Sequence, residues 1–390
     1  MTAEVISLGC RMNLAEGDRI RAMLGGERET VVINSCAVTA EAVRQTRQAI
    51  RRARRAHPDA RLLVTGCAAD IERARIAAMS EVDGLVANRE KLDPRAWNAP
   101  PQTAPVARRH TRAFIAVQNG CDHACTFCVI PQGRGPSRSR PIAAVVSDIE
   151  RDLADGAGEV VLTGIDLTSW GHDLTGSQRL GNLVAAILDA FPRLARLRLS
   201  SVDGIEIDPM LEELIAGDRR VMPHVHLSLQ HGHDLILKRM KRRHLRSDVV
   251  ALVGRLRARR GDIAIGADLI AGFPTETDVH HAANLSVIAE LGVVHGHVFP
   301  YSARPQTPAA RMPQVDFATI KARAAALRET IAAARSEWLR AQIGTPLSVL
   351  AEADGTGHAE NFARVRLPAG VARGEIVTII PNSIEEGLLA

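Results

Sequence analysis

Residues 118–141 read QNGCDHACTFCVIPQGRGPSRSRP, and they place Cys121, Cys125 and Cys128 within eight positions. The chain has 390 residues and six cysteines, so half of its thiols sit in this one loop. The run just before it, AFIAVQ, is short and apolar and reads as a buried strand. The loop therefore lies at the carboxyl end of a strand. A C-x3-C-x2-C spacing wraps three thiolates around one small object. Soft thiolates select zinc, copper(I) or an iron–sulfur cluster. Structural zinc asks for four protein ligands, and His123 is a candidate fourth. A four-iron cluster is ordinarily held by four thiolates, so three would leave one iron open to a small molecule.

The other three cysteines follow a pattern of their own. EVISL leads to Gly9-Cys10, TVVINS to Cys36 and ARLLVTG to Cys67. Each run is short and rich in β-branched residues, as a buried strand is. Between the second and third lies AEAVRQTRQAIRRARRA, a helix former. Strand–helix alternation predicts a parallel sheet, and loops after parallel strands share one edge. Cys10, Cys36 and Cys67 are thus expected to converge. For any one of them alone, a buried core thiol is the simpler reading. Three in a row at strand ends is harder to assign to packing.

Residues 98–112 hold three prolines and no periodicity, which marks a linker. Beyond it the alternation restarts with AFIAVQ and continues with EVVLTG, LRLSS, HVHLSL, IAIGADLIAG and VVHGHVFPY. Six such units are too few for a closed eight-stranded barrel, so an open (β/α)6 barrel is expected. A long helix is expected to end at Gly344. The last segment, with short alternating runs split by glycines, suggests a small antiparallel β-barrel. The expected domains are 1–98, 112–340 and 341–390, in an α/β architecture.

The C-x3-C-x2-C signature with Phe127 before the last cysteine resembles the radical S-adenosylmethionine superfamily. That family's fold is an incomplete β/α barrel, and its open iron chelates the methionine moiety of S-adenosylmethionine. LGCRMN, INSCAVT and VTGCAAD upstream narrow the resemblance to the methylthiotransferases, over essentially the whole chain. The resemblance implies two [4Fe-4S] clusters, on Cys121, Cys125 and Cys128 and on Cys10, Cys36 and Cys67. It also implies a C-terminal RNA-binding TRAM domain, and a second cluster that presents or donates sulfur. The stretches VINSCAVTAEAVRQTRQAIRRARR and HVHLSLQHGHDLILKRMKRRH look like the branch acting on N6-threonylcarbamoyladenosine of tRNA. Branches acting on isopentenyladenosine or on a ribosomal-protein aspartate are the alternatives. A site for the threonyl carboxylate should include a cation, and one for isopentenyl should be apolar.

On this resemblance Phe127, Gly164, Asp166, Ser201, Gln230 and Asp268 are candidate cofactor contacts, with Ser200, Gly272, Glu276 and Tyr301 also at strand ends. Many superfamily members carry Gly-Gly-Glu where this chain has Gly164 and Asp166. Capping competes as a role for Asp166 and Ser201. His231 is a candidate base, with a structural hydrogen bond as the competing role. Tyr301, Phe299 and Trp170 are candidates for stacking on a single base; aromatics total only 3%, which excludes extensive stacking.

Arg44, Arg47, Arg51, Arg54 and Arg55 fall on one helical face, suited to phosphate oxygens. KRMKRRHLR, residues 238–246, and the arginine-rich tail of the cysteine loop (Arg134, Arg138, Arg140) are further basic clusters. Solvated faces are the bland reading of each. Together they favour a tRNA substrate. No apolar run approaches the ~20 residues that span a bilayer, and no signal peptide is apparent. A cytoplasmic monomer is expected, served by a flavodoxin- or ferredoxin-like electron donor and a sulfur source. A non-catalytic iron–sulfur RNA-binding protein and an iron–sulfur electron carrier are the competing classes. Neither would consume S-adenosylmethionine.

Overall fold

Alternation along the Thr30–Ser35 strand sends Val31 and Ile33 to one face and Val32 to the other. The Arg61–Gly66 strand does the same, with Leu62 and Val64 opposite Leu63. Both faces are apolar, so the sheet must be covered twice. The helix Ala40–Ala56, whose bounds match the sequence expectation, closes one side with Val43 and Ile50. The helix Arg11–Met23 closes the other with Ile20. Each fully buried isoleucine here contributes roughly 1.5–3 kcal/mol over an exposed one.

These elements come from a computed structural model, which describes residues 3–24, 29–98 and 110–390. Most of the expected linker at 98–112 lies outside the described residues. Four strands, Glu4–Ser7, Thr30–Ser35, Arg61–Gly66 and Gly84–Leu85, pair in parallel in chain order. In space the chain groups into two compact units. The first holds the described residues up to Asn98, the cysteine loop 119–138 and the short segment 302–310.

The second unit contains the remaining strands. Arg112–Ala116, Glu159–Thr163 and Leu197–Leu199 form one parallel sheet; Ser201–Val202, His224–Gln230, Ala264–Ala271 and Val293–Pro300 form another. With Leu197–Leu199 and Ser201–Val202 counted as one interrupted strand, this is the expected open six-stranded α/β barrel. Helices cover its outer face, where Val225, Leu227, Leu229, Ile265, Ala267 and Leu269 join one core.

The long helix runs Phe317–Arg340 and stops before Gly344, because residues 341–344 form a turn instead. After it come six short strands, ordered from Ile376–Ile379 through Leu347–Ala351, Thr356–Ala359, Arg364–Arg366 and Leu388–Leu389 to Ile384–Glu385. All pair antiparallel except Val365 with Leu389. No pairing joins the two end strands among the described residues, so the sheet is open at that seam.

This sheet is fastened to the amino-terminal edge of the barrel. Glu159 is fully buried and takes Arg198 at 2.9 Å, Arg196 at 3.0 Å and Arg112 at 3.1 Å. The same arginines reach across: Arg112 to Glu352 at 2.5 Å, and Arg196 and Arg198 to the carbonyls of His358 and Glu360. Burial would raise the pKa of Glu159, but the three guanidiniums overturn that and hold it at about 2. A depressed carboxylate contributes stability above its unfolded pKa, near 4.5, and that stability is lost as pH falls toward 2. Resistance to denaturant is therefore expected to fall steeply between those values. Glu159→Gln is expected to cost about 3–5 kcal/mol at pH 7, since it strands buried arginines. An unchanged midpoint in the variant would show that the arginines find other partners.

Candidate active site: two cysteine trios

Cys10 precedes the helix Arg11–Met23, Cys36 follows the strand Thr30–Ser35, and Cys67 opens the short helix Cys67–Ile71. All three stand at carboxyl ends of parallel strands, and the loops do meet. Gly9 has φ +89, and a Cβ there would lie 2.6 Å from Cys36 Sγ. Only glycine lets the first loop approach that thiol. The thiols sense one another: burial first, then the neighbouring Cys10 and Cys67, push Cys36 up to about 11. None of the six cysteines is in a disulfide. Three thiols gathered at a sheet edge are the arrangement a soft-metal site would use.

The loop of Cys121, Cys125 and Cys128 belongs to the same compact unit. Its thiols are partly exposed. The amide of His123 donates to Cys121 Sγ and that of Ile130 to Cys128 Sγ, each at 3.4 Å. Amide donors to sulfur are what a thiolate-bound iron centre uses to tune its charge. The following helix, Ile130–Arg134, packs on Cys67–Ile71. At the contact, a Cβ on Gly133 would sit 3.2 Å from Cys67 Cβ. Asn88 bridges the two, donating to Gly133 O at 2.5 Å and facing Cys67 Sγ at 3.7 Å.

Beneath the first trio lies a charged cluster that the sequence did not disclose. Glu16, Lys91 and Arg134 are each at most 3% exposed. Glu16 accepts from Arg134 at 2.9 and 3.0 Å and from Lys91 at 2.5 Å. Arg134 also donates to Asn13 at 2.6 Å, and Lys91 to Asn34 at 3.2 Å. Asn13 in turn donates to the carbonyls of Leu8 and Ser35, on the chain beside Cys10 and Cys36. Burial works against the Arg134 charge, but Glu16 and the thiols of Cys67 and Cys10 hold its pKa up. Arg134, expected in a phosphate-binding tail, is thus a buried support of the first trio. Its anchor, Glu16, sits mid-helix without a motif to mark it.

One further observation tests whether an iron–sulfur centre suits the first trio. Arg304 is 4% exposed, pairs loosely with Glu72 at 3.7 Å, feels the charges of Glu72 and then Cys36, and leaves Nε and Nη2 without a hydrogen-bond partner. A buried arginine near Cys36, with donors not used in hydrogen bonds, fits an anionic, sulfide-rich group. The residues fit the group at both trios.

Residues 115–285 match the Radical SAM superfamily, and residues 2–87 match the uncharacterized protein family UPF0004. Over 99% of this chain and 96% of its own length, the threonylcarbamoyladenosine tRNA methylthiotransferase MtaB of Rickettsia prowazekii (strain Madrid E) is 43% identical. The chain belongs to the radical S-adenosylmethionine methylthiotransferase family. A tRNA-2-methylthio-N(6)-dimethylallyladenosine synthase of Chloroflexus aurantiacus is 32% identical over 80% of this chain and 72% of its own. Among solved structures, the radical S-adenosylmethionine methyltransferase TsrM of Kitasatospora setae has a TM-score of 0.55 at 18% identity. It covers 73% of this chain and 66% of its own, a likeness of fold. Membership brings S-adenosylmethionine and a [4Fe-4S] cluster as cofactors.

The barrel of this methylthiotransferase positions the remaining candidates unevenly. Gln118 Oε1 accepts from the amides of Ile165 and Asp166, which fixes the turn carrying Gly164 and Asp166. Asp166 accepts from the Ser169 hydroxyl at 2.7 Å, and its side chain makes no capping bond to the amides of the turn that follows. Ser201 begins its two-residue strand directly after Ser200. Gln230 has φ +69 at the end of its strand, after a register shift. Asp268 lies mid-strand, not at an end. Glu276 accepts from the amides of Gly272 and Phe273 and from Arg323, and pairs with His231, so it anchors that turn. His231 is fully buried, and burial lowers its pKa, which removes it as an exposed base and leaves the structural role. Trp170 is also fully buried and donates to Arg140 O, so it is withdrawn from base stacking. Tyr301 is buried at 8%; Phe299 keeps part of its surface.

The basic patches change character too. Arg44 pairs with Glu41, Arg47 with Glu72 and Arg51 with Glu81. Arg54 is spent on Asp83 and three carbonyls, a structural tie; Arg55 is exposed. In residues 238–246, Arg242 and Arg243 clamp Asp203 and Glu206, and Arg246 holds Glu290 at 2.5 Å. Arg140 pairs with Asp148 at 2.7 Å. Charge counting along a sequence cannot see which arginines find an acid in the fold. No helix among the described residues is long and apolar enough to cross a membrane.

Proposed function

We propose that the protein inserts a methylthio group at C2 of N6-threonylcarbamoyladenosine beside the anticodon of tRNA, using two [4Fe-4S] clusters. The observation that carries this reading is the meeting of Cys10, Cys36 and Cys67 in the same compact unit as the Cys121–Cys128 loop. The collinear Rickettsia prowazekii relative, named for threonylcarbamoyladenosine, supports the substrate. When bound, the two clusters and S-adenosylmethionine supply one-electron cleavage of a sulfonium bond, a sulfur and a methyl group.

The chain's own residues supply position. Cys121, Cys125 and Cys128 would hold the radical cluster, and Cys10, Cys36 and Cys67 the second. Asn88 and Gly133 fix where the two loops meet, and the Glu16 cluster keeps the first trio's loops from drifting. Rigid mutual placement of this kind is what an oriented reaction needs. Phe127, Gly164, Asp166, Ser201 and Gln230 are the proposed S-adenosylmethionine contacts. Arg44, Arg47, Arg51 and Arg55 are the proposed phosphate contacts, exchanging acid partners for RNA. A low-potential electron donor and a sulfur source complete the system. The C-terminal sheet is the further proposed RNA contact. Deleting it would strip Arg112, Arg196 and Arg198 of partners, so a deletion tests folding rather than RNA binding.

Mass analysis of tRNA nucleosides from cells with and without the gene is the direct test. Loss of the 2-methylthio derivative of threonylcarbamoyladenosine is expected. Loss of the isopentenyl derivative instead would establish the second reading, which the Chloroflexus aurantiacus relative favours. Reduced, reconstituted protein should also release 5′-deoxyadenosine from S-adenosylmethionine. Intact clusters without that release would leave an iron–sulfur binding protein.

A further inference from the structure

Three adjacent parallel strands, His224–Gln230, Ala264–Ala271 and Val293–Pro300, turn one face to the apolar core and the other to the barrel's interior. The interior face carries His224, His226, Asp268, His295, His297 and Phe299, by the two-residue period of a strand. Register sets Asp268 beside His297 and His226 beside Gly266. A Cβ on Gly266 would lie 2.3 Å from His226 Nδ1, so a larger residue there would displace the ring.

The histidines divide into two layers. His224 stacks on Phe362 at 4.9 Å, and His295 meets the edge of Trp338 at 5.1 Å. That layer is sealed. In the next layer, Asp268 Oδ1 accepts from His226 Nε2 at 3.0 Å and from His297 Nδ1 at 3.1 Å. The two rings lie 4.6 Å apart. His226 is 8% exposed at its side chain, whereas His297 is 65% exposed. An ionised Asp268 selects the N–H form at each nitrogen facing it. His297 is therefore oriented from behind by a carboxylate, with Nε2 turned to whatever enters. Phe299, one strand repeat further along, stands edge-on to it at 6.4 Å.

We propose that His297, aligned by Asp268 and His226, binds the carboxylate of the substituent on the modified adenine. This inference rests on the threonylcarbamoyladenosine reading and names the residue that distinguishes it. Asp268 takes His297 Nδ1 as its hydrogen-bond partner, which leaves Nε2 as the ring nitrogen that faces a carboxylate in front. An alkyl substituent offers nothing to that donor and would leave it desolvated and unpaired. Discrimination between a polar and an apolar substituent is largest where a buried polar group is left unpaired. The same three ligand atoms form a two-histidine, one-carboxylate set of the kind that takes a divalent metal. Hydrogen bonding is the better account, because Oδ1 already serves two ring N–H groups.

The test uses the full, cluster-loaded chain and anticodon stem-loop RNAs bearing threonylcarbamoyladenosine, its carboxyl methyl ester, or isopentenyladenosine. Equilibrium binding is measured for wild type, His297→Leu, His297→Gln and Asp268→Asn. Circular dichroism and iron content report folding. Wild type is expected to prefer the acid to the ester by about tenfold or more, the usual worth of a charge-assisted hydrogen bond. His297→Leu should lose that preference, binding acid and ester alike, and Asp268→Asn should lose part of it. A folded His297→Leu chain that still distinguishes acid from ester overturns the proposal. So does a stoichiometric divalent metal in wild type that His297→Leu lacks. Wild type that methylthiolates only the isopentenyl RNA overturns the substrate reading itself, a result separable from the other two.

Discussion

Cys36→Ala is expected to hold about half the iron of wild type, to cleave S-adenosylmethionine, and to form no methylthio product. The argument is one of position. Cys36 is the central thiol of its trio: its sulfur lies against Gly9 of the first loop, and it feels both Cys10 and Cys67. Removing it leaves two thiolates, too few to hold four irons. The Cys121, Cys125 and Cys128 loop keeps its own ligands, its amide donors from His123 and Ile130, and its packing at Gly133. Cys125→Ala is expected to do the reverse and abolish 5′-deoxyadenosine formation. Iron analysis, a cleavage assay and nucleoside mass analysis on both variants separate the two roles. Methylthio product from Cys36→Ala would remove sulfur donation from the first trio.

Glu16→Leu is expected to destabilise the first unit by about 3–5 kcal/mol, because it leaves Arg134 and Lys91 buried and unpaired. The damage should not stay local. Arg134 joins the radical loop to Asn13 and Glu16, and Asn13 holds the carbonyls of Leu8 and Ser35 beside two cysteines. Iron content at the first trio is therefore expected to fall along with stability. Denaturant unfolding followed by circular dichroism, with iron counted on the native protein, checks both. Glu16→Gln, which keeps hydrogen-bond acceptance but loses the charge, should lie between. A Glu16→Leu chain as stable as wild type would mean that water reaches the two cations.

The convergence of Cys10, Cys36 and Cys67 was legible because each follows a short buried strand and parallel strands end at one edge. The barrel was legible from six short apolar runs separated by helical ones. Glu16 and Lys91 were not, since each looks like a surface charge on an ordinary helix or turn until the chain folds over it. The same blindness ran the other way for Arg54, Arg242 and Arg246, which read as a basic surface and are spent on carbonyls and acids. His226, Asp268 and His297 lie 29 to 42 residues from one another in two of their pairings, a separation at which no local pattern operates.

By itself the sequence determined the elements and the ligand chemistry: periodicity chooses strand or helix, and residue type chooses soft or hard binding. Only the tertiary structure decided which charges are paired, which aromatics are sealed, and which side chains share a layer of the barrel. The reason is physical. Hydrophobic period is a property of a few consecutive residues, whereas the energy of a charge depends on the burial and partners that distant segments bring to it.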